Sequence, residues 1–168
     1  MTIRRSTLTD LPEIRQLFHD TITTVNRKDY TDQQVEMWAS SAENERKWQK
    51  KFKSEYFIVA EHHEAEQEII TEENTEQEKM LVGFSSLDEQ GFIDYIFVHK
   101  DHQRKGIASA MLAEMEKLGM MFGMKTLISE VSITARPFFS ARGFVSAKKN
   151  KRRIKGVEFT NFLMKKVL

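Results

Sequence analysis

Apolar residues recur along the chain in two rhythms, one helical and one extended. Leu11, Ile14, Phe18, Ile22 and Val25 step by three or four, which gathers them on one face of a helix. Thr9, Asp10 and Pro12 ahead of them supply capping and first-turn chemistry. Thr31 with Gln34 three residues on is a capping-box signature, so a second short helix carries Val35 and Trp38, and a charged segment around Trp48 and Phe52 continues it. A long helix is predicted over about residues 105–122, where Ile107, Met111, Met115, Leu118 and Phe122 form one stripe. Its methionines read as packing. Residues 134–142 read as a last short helix that Gly143 stops.

The extended rhythm covers residues 2–6, 56–60, 80–87, 92–98, 126–131, a run from 144 and 157–167. Asp88-Glu89-Gln90-Gly91 is a polar turn ending in glycine, which makes 80–87 and 92–98 an antiparallel hairpin. Residues 92–98 are apolar on both faces, as in a central strand. The order is strand, two or three helices, three strands, helix, strand, helix, two strands. It predicts an α/β (α+β) fold: a mixed, mostly antiparallel central sheet of about seven strands with helices on both faces. A chain of 168 residues fills one core, so residues 1–168 are expected to form a single domain.

Residues 62–79 interrupt this pattern. Glu64, Glu66, Glu68, Glu72, Glu73, Glu76 and Glu78 crowd a stretch whose apolar anchors are Ile69 and Ile70. It is expected to be a solvated excursion of a strand-to-strand turn. The opposite charge collects at residues 148–155, Lys-Lys-Asn-Lys-Arg-Arg-Ile-Lys, which falls at the predicted tip of the last hairpin. A formal net charge of +1 gives no global attraction to nucleic acid or membrane. The basic run lacks interleaved aromatics, so a solvated turn is favoured there over nucleic-acid binding. Without cysteine there is no thiolate metal site and no enzyme thioester. No run approaches the roughly 20 apolar residues of a membrane span. These features point to a cytoplasmic protein with no membrane partner.

Gln103-Arg104-Lys105-Gly106-Ile107-Ala108-Ser109 lies between a central strand and the start of the long helix. A helix start presents unpaired N–H groups and a partial positive charge, which suit a phosphate or pyrophosphate. Gly106 removes a Cβ where a ligand would approach, Ala108 is nearly as small, and Arg104 and Lys105 add charge. Neither a Walker A loop nor a three-glycine dinucleotide fingerprint is present. An ordinary polar helix start remains the alternative.

Gln103-x-x-Gly106-x-Ala108 resembles the Q/R-x-x-G-x-G/A signature with which the GNAT superfamily binds the pyrophosphate of coenzyme A. Residues 93–98 before it resemble the family's fourth strand. Ser132-x-x-Ala135-x-x-Phe138-Phe139-x-x-x-Gly143-Phe144 resembles the family's N-x-x-A-x-x-F-Y-x-x-x-G-F element. The closing Gly156-Val157-Glu158-Phe159-Thr160-Asn161-Phe162 is similar to the last strand of one bacterial subgroup. The resemblance implies splayed fourth and fifth strands, with the pantetheine arm between them pairing with backbone at Phe97 and Val98. It also implies acetyl-CoA as acyl donor and direct attack by a small-molecule or peptide amine, with a backbone N–H near Val98 stabilising the oxyanion. An acyl-CoA-binding sensor with little turnover is the alternative function, and a homodimer stays open.

An alkylammonium of pKa about 10 must lose a proton before it attacks. Asp94 is the first candidate base: by strand alternation it shares a face with Phe92, Ile96 and Val98, where desolvation would raise a carboxyl pKa. Its alternative is to accept hydrogen bonds and organise the sheet. Some family members place a glutamate two residues earlier, at the position of Phe92. Glu130 is the second candidate base, or else a surface residue. The family's acid, a tyrosine, falls at Phe139, so that role is vacant unless Tyr30 or Tyr95 reaches the sulfur. Ser132 stands at the family's asparagine and either contacts the pantetheine arm or caps the next helix. Asn26, Tyr30 and Trp38 on the early helices are candidates for acceptor binding, with packing as their alternative. His99, Asp101 and His102 share a tight loop without further ligands at suitable spacing, so no metal is expected.

Overall fold

The computed structural model describes residues 1–63 and 79–168. Strand β1 (Thr2–Arg5) leads into helices α1 (Leu11–Thr24), α2 (Asp32–Ala39) and α3 (Glu45–Ser54). Strands β2 (Tyr56–His63), β3 (Lys79–Leu87) and β4 (Ile93–Val98) follow. Helix α4 (Ile107–Met121), strand β5 (Thr126–Ser132), helix α5 (Arg136–Ala141) and strands β6 (Val145–Ile154) and β7 (Val157–Val167) complete the order that the periodicity predicts. The acidic excursion expected over 62–79 is trimmed at both ends, because His62 and His63 belong to β2 and Lys79 to β3. Its remainder, 64–78, lies outside the described residues.

The strands form two antiparallel sheets, β1-β2-β3-β4 and β5-β7-β6. One core cluster joins α4 to the sheets through Ile107, Met111, Leu112, Met115, Ile58, Val82, Ile93, Val98, Leu127 and Val131. Phe122, assigned to that stripe by periodicity, is instead 54% exposed just past the end of α4. On the other face α1, α2 and α3 bury Ile14, Phe18, Ile22, Val35 and Trp48 against Phe57, Val59, Leu81 and Phe84. Burying an aliphatic or aromatic side chain contributes about 1.5–3 kcal/mol, so these clusters, rather than helix propensity, hold the short helices in place. The Thr31 box also forms: Gln34 N–H donates to Thr31 Oγ1, and Thr31 N–H donates to Gln34 Oε1.

The basic run is placed differently from the expected hairpin tip. Lys148, Lys149, Lys151, Arg152 and Arg153 lie within β6 itself, and only Lys155 and Gly156 form the turn. β6 pairs with β7 alone and is exposed along nearly all its length. With no buried face to satisfy, an edge strand accepts charge on both sides. Among the described residues no helix is long and apolar enough to cross a membrane.

Phe18 sits at the centre of the second cluster, its ring 4.9–6.5 Å from those of Trp38, Trp48, Tyr95 and Phe97. Phe18→Ala is expected to cost about 3–5 kcal/mol, read as a lowered urea midpoint.

Candidate active site

β4 and β5 touch at one end only. A single parallel bridge joins Phe92 and Ile128, supported by Ile128 N–H donating to Gly91 O (2.9 Å) and Ser129 Oγ donating to Ile93 O (2.8 Å). Beyond it the strands part, opening a gap toward Val98 on one wall and Ser132 on the other. His99 N–H donates to Val82 O (2.9 Å), and Phe97 stands opposite Phe84. Antiparallel alternation therefore turns the backbone of Phe97 and His99 toward β3 and that of Ile96 and Val98 into the gap. The Val98 carbonyl already accepts from Thr21 Oγ1 (3.0 Å) and Gln103 Nε2 (2.6 Å), which leaves its N–H as the group presented. Of the pair named by resemblance, Val98 thus faces the gap, while Phe97 sends its ring into the aromatic cluster beside Phe18 and Phe84.

The loop after β4 ends at the same opening. Gly106 is left-handed (φ 82°) and caps α4 without any side-chain bond. The first turn of the helix therefore exposes the N–H groups of Ile107, Ala108 and Ser109. A Cβ on Gly106 would meet nothing within 4 Å, so the space above it is open. Arg104 and Lys105 are exposed beside it. Gln103 does not reach outward: its amide donates to the carbonyls of Val98 and His99 and ties the loop to the end of β4. Ser109 Oγ accepts from Arg142. A short loop pinned at its root, with uncapped amides and two cations at its tip, can receive a diphosphate.

The two candidate carboxylates flank the gap near its closed end, each two residues beyond the Phe92–Ile128 bridge. Asp94 leaves the face predicted for it. The β3–β4 register breaks between Ser85 and Leu87, so Ile93 joins Ile96 and Val98 in the α4-side core. Asp94 instead meets α3, with Lys51 Nζ 2.5 Å from its Oδ2. Lys51 also donates to Glu55 Oε1 (2.9 Å), and Glu55 Oε2 accepts from Ser86. Burial works against the Lys51 charge, but the Asp94 and Glu55 carboxylates outweigh it and lift its pKa above the ordinary lysine value. On the other wall Glu130 holds Arg152 (3.0 Å) and accepts from Asn161 Nδ2 (3.1 Å). The opposite amide oxygen, Asn161 Oδ1, is buried without a partner.

The segment from Asn26 to Gln34 straps one half-sheet to the other. Tyr30 packs edge-on against Trp38, and Trp38 against Phe97 of β4. At the β5–β7 side Tyr30 Oη accepts from Ile133 N–H (2.9 Å), Thr134 Oγ1 donates to Asp29 (2.7 Å) and Gln34 Nε2 donates to Glu158 O (2.7 Å). Asn26 is 5% exposed, and its side-chain amide has no hydrogen-bond partner among the described residues. Ser132 Oγ accepts from Ala135 N–H (3.1 Å) in the turn before α5, whose own N-cap, Ala135, makes no side-chain bond. Phe139 is buried to 1% exposure with its ring edge-on to Phe144, so it presents neither a hydroxyl nor accessible surface to the gap. Tyr95 stacks on Trp48; burial first, and the Asp94 and Glu55 charges second, push its pKa far up. Among the described residues no cluster of His, Cys, Asp and Glu is arranged to hold a metal ion.

A family model described as an acetyltransferase (GNAT) domain matches residues 26–168. The chain belongs to the GNAT superfamily. Within it the chain is 31% identical over 156 residues to the N-acetyltransferase YafP of Escherichia coli (strain K12), covering 93% of this chain and 89% of that protein. A crystal structure of a GCN5-related N-acetyltransferase from Rhodopseudomonas palustris superposes with a TM-score of 0.84 at 27% identity, over 99% of this chain and 95% of that one. The PaiA N-acetyltransferase from Thermoplasma acidophilum, crystallised in complex with coenzyme A, shares the fold at a TM-score of 0.71 and 16% identity over the full length of both. This GNAT protein is thus an N-acetyltransferase whose sheet splits where the sequence resemblance implies.

Sequence reasoning did not anticipate Thr21, Lys51, Arg152 or Asn161, because each acts on a residue distant along the chain. Lys51→Met is expected to cost about 1–2 kcal/mol at pH 7, since it leaves two half-buried carboxylates facing without a cation. A raised lysine pKa contributes its stability in full below the unfolded value of 10.5 and loses it as pH climbs through the higher folded value. The wild-type advantage should therefore be constant from pH 7 to 9 and shrink above about pH 10.5, as read by urea unfolding of both proteins across that range.

Proposed function

We propose that this GNAT protein transfers an acetyl group from acetyl-CoA to a primary amine by direct attack in a ternary complex. The observation that carries the reading is the continuity of the gap. It begins at uncapped amides beside an open Gly106 and ends at the unpaired N–H of Val98. On this reading the pyrophosphate rests on the amides of residues 106–109, with Arg104 and Lys105 supplying charge. The pantetheine arm extends the β4 edge by pairing with backbone at Ile96 and Val98, and Ser132 lines the opposite wall. The thioester carbonyl then lies against Val98 N–H, which stabilises the oxyanion as the amine adds. With no cysteine in the chain, the acetyl group passes directly from sulfur to nitrogen.

The acceptor approaches from the α1–α2 side, past Asn26, Tyr30 and Trp38. Its ammonium proton leaves to Asp94 or Glu130, directly or through water. Each carboxylate is held by one cation, Lys51 on α3 or Arg152 on β6. A second reading, an acyl-CoA-binding protein with little turnover, draws its support from Phe139, which lacks the hydroxyl of the family's acid. A thiolate of pKa about 8.5 is a tolerable leaving group without it, so we favour turnover.

Thiol release from acetyl-CoA measured against amines, peptides and aminoglycosides separates the two readings. Acceptor-stimulated release is expected, and binding without release would favour the sensor. Replacing both Arg104 and Lys105 by Glu should weaken coenzyme A binding by about tenfold or more in titration calorimetry. Both residues are exposed, so the Tm of the unliganded protein should hardly move. An unaltered affinity would count against the loop.

A further inference from the structure

We propose that the imidazole cluster of His62, His99 and His102 takes up a proton when the adjoining loop of residues 103–109 receives an anionic ligand, so that coenzyme A binds more tightly as the pH falls; the inference rests on reading that loop as a diphosphate cradle. Chain order hides the cluster, because His62 lies near the end of β2 while His99 and His102 follow β4. The sheet brings them together. The ring of His102 is 5.4 Å from that of His62 and 5.6 Å from that of His99. Imidazole is the side chain whose charge ordinarily changes between about pH 5 and 8. Three in contact do not all hold protons at once, since like charges oppose one another.

The cluster is built on the root of the loop. His99 N–H donates to Val82 O (2.9 Å), and His99 O accepts from His102 N–H (3.0 Å) and from Gln103 Nε2 (3.2 Å). His99 Nδ1 accepts from Asp101 N–H (3.3 Å), so that nitrogen carries no proton while the turn is closed. His102 is the central ring, in contact with both others. The groups that face it are His62 from β2, His99 and Asp101 from its own turn, and Lys105 from the loop. Burial first, then the charges of Lys105, His99 and His62, hold its pKa below the ordinary histidine value, against the opposing pull of Asp101.

An anion seated beside Lys105 reverses part of this balance. It offsets the ammonium that repels a proton on His102, and it adds an attraction of its own. The His102 pKa therefore rises on binding, and the complex holds more protons than the free protein and ligand together. Affinity is then flat above the bound-state pKa, climbs as pH falls through it, and levels off below the lower free-state value. Neighbouring rings share the proton, so the three titrate as a unit. In this scheme no proton passes to the acetyl group or the amine. The cluster acts on occupancy of the loop and leaves the chemical step to the groups already described.

Titration calorimetry of the full chain with dephospho-coenzyme A tests this. That probe keeps the diphosphate but lacks the 3′-phosphate, whose own pKa of about 6 would confuse the proton count. Heats measured at pH 6 in buffers of different ionisation enthalpy give the protons exchanged. The wild type should take up about half a proton per ligand and bind about threefold more tightly at pH 6 than at pH 8. His102→Gln should take up almost none and bind equally at both. Wild-type binding without proton uptake, or undiminished uptake by His102→Gln, overturns the proposal. Should that variant fail to fold, the imidazole resonances of the wild type supply the answer. A resonance of His62, His99 or His102 should titrate about one unit higher with the probe bound, and three unmoved values overturn the assignment. Failure of dephospho-coenzyme A and coenzyme A alike to bind at any pH overturns the reading of the loop itself, a separate outcome from binding without a proton.

Discussion

The unmade ladder between β4 and β5 is the constraint on which the rest of this molecule depends. Two strands that start in register at Phe92 and Ile128 would ordinarily continue to pair, since unpaired backbone groups inside a protein are costly. Here the carbonyl of Val98 is satisfied by Thr21 and Gln103 instead of by a strand. That substitution lets the gap persist without an acceptor left wanting. It also fixes the relative positions of three elements, because Thr21 belongs to α1, Gln103 to the loop before α4, and Val98 to the strand between them. The loop before α4, strand β4 and helix α1 are thus joined through one carbonyl oxygen.

The charged groups near the gap follow a similar economy. Asp94 and Glu130 are carboxylates on opposite walls, and each has a cation from an element outside the splay, Lys51 from α3 and Arg152 from β6. An isolated half-buried carboxylate loses hydration without compensation. A partner cation removes that penalty while leaving the second oxygen to other uses, as Glu130 shows by accepting from Asn161. The strap from Asn26 to Gln34 has the complementary task of holding both walls at a set distance, since its aromatic side packs on Phe97 and its polar side bonds to Ile133, Thr134 and Glu158.

Much of this was legible in the chain, for identifiable reasons. The apolar steps of α1 and α4 and the Thr31 box are local signals, and local signals are what periodicity and capping report. The candidate loop before α4 was legible because a glycine at a left-handed helix start leaves a mark within six residues. The face occupied by Asp94 was not, because a β3–β4 register shift, in which Ile93 to Ile96 of β4 stands opposite Ser85 to Leu87 of β3, turns Ile93 into the core and defeats simple alternation. Lys51, Arg152 and Asn161 gave no sign, since the site carboxylates they hold, Asp94 and Glu130, lie far from them along the chain and only tertiary structure brings them together. The basic run reads from sequence as the tip of the last hairpin, while in the structure it lies along the exposed edge strand β6, where no buried face excludes lysine and arginine.

That edge has a bearing on how copies of this protein meet in a crowded cell. An open strand of ten residues is an invitation to extend the sheet from one molecule to the next. With Lys148, Lys149, Lys151, Arg152 and Arg153 spread over both sides of β6, and Lys151 and Arg152 alone neutralised among the described residues, by Glu158 and Glu130, two such borders repel before their amides can pair. The same residues that gave the segment its look of a nucleic-acid grip serve as a guard against aggregation.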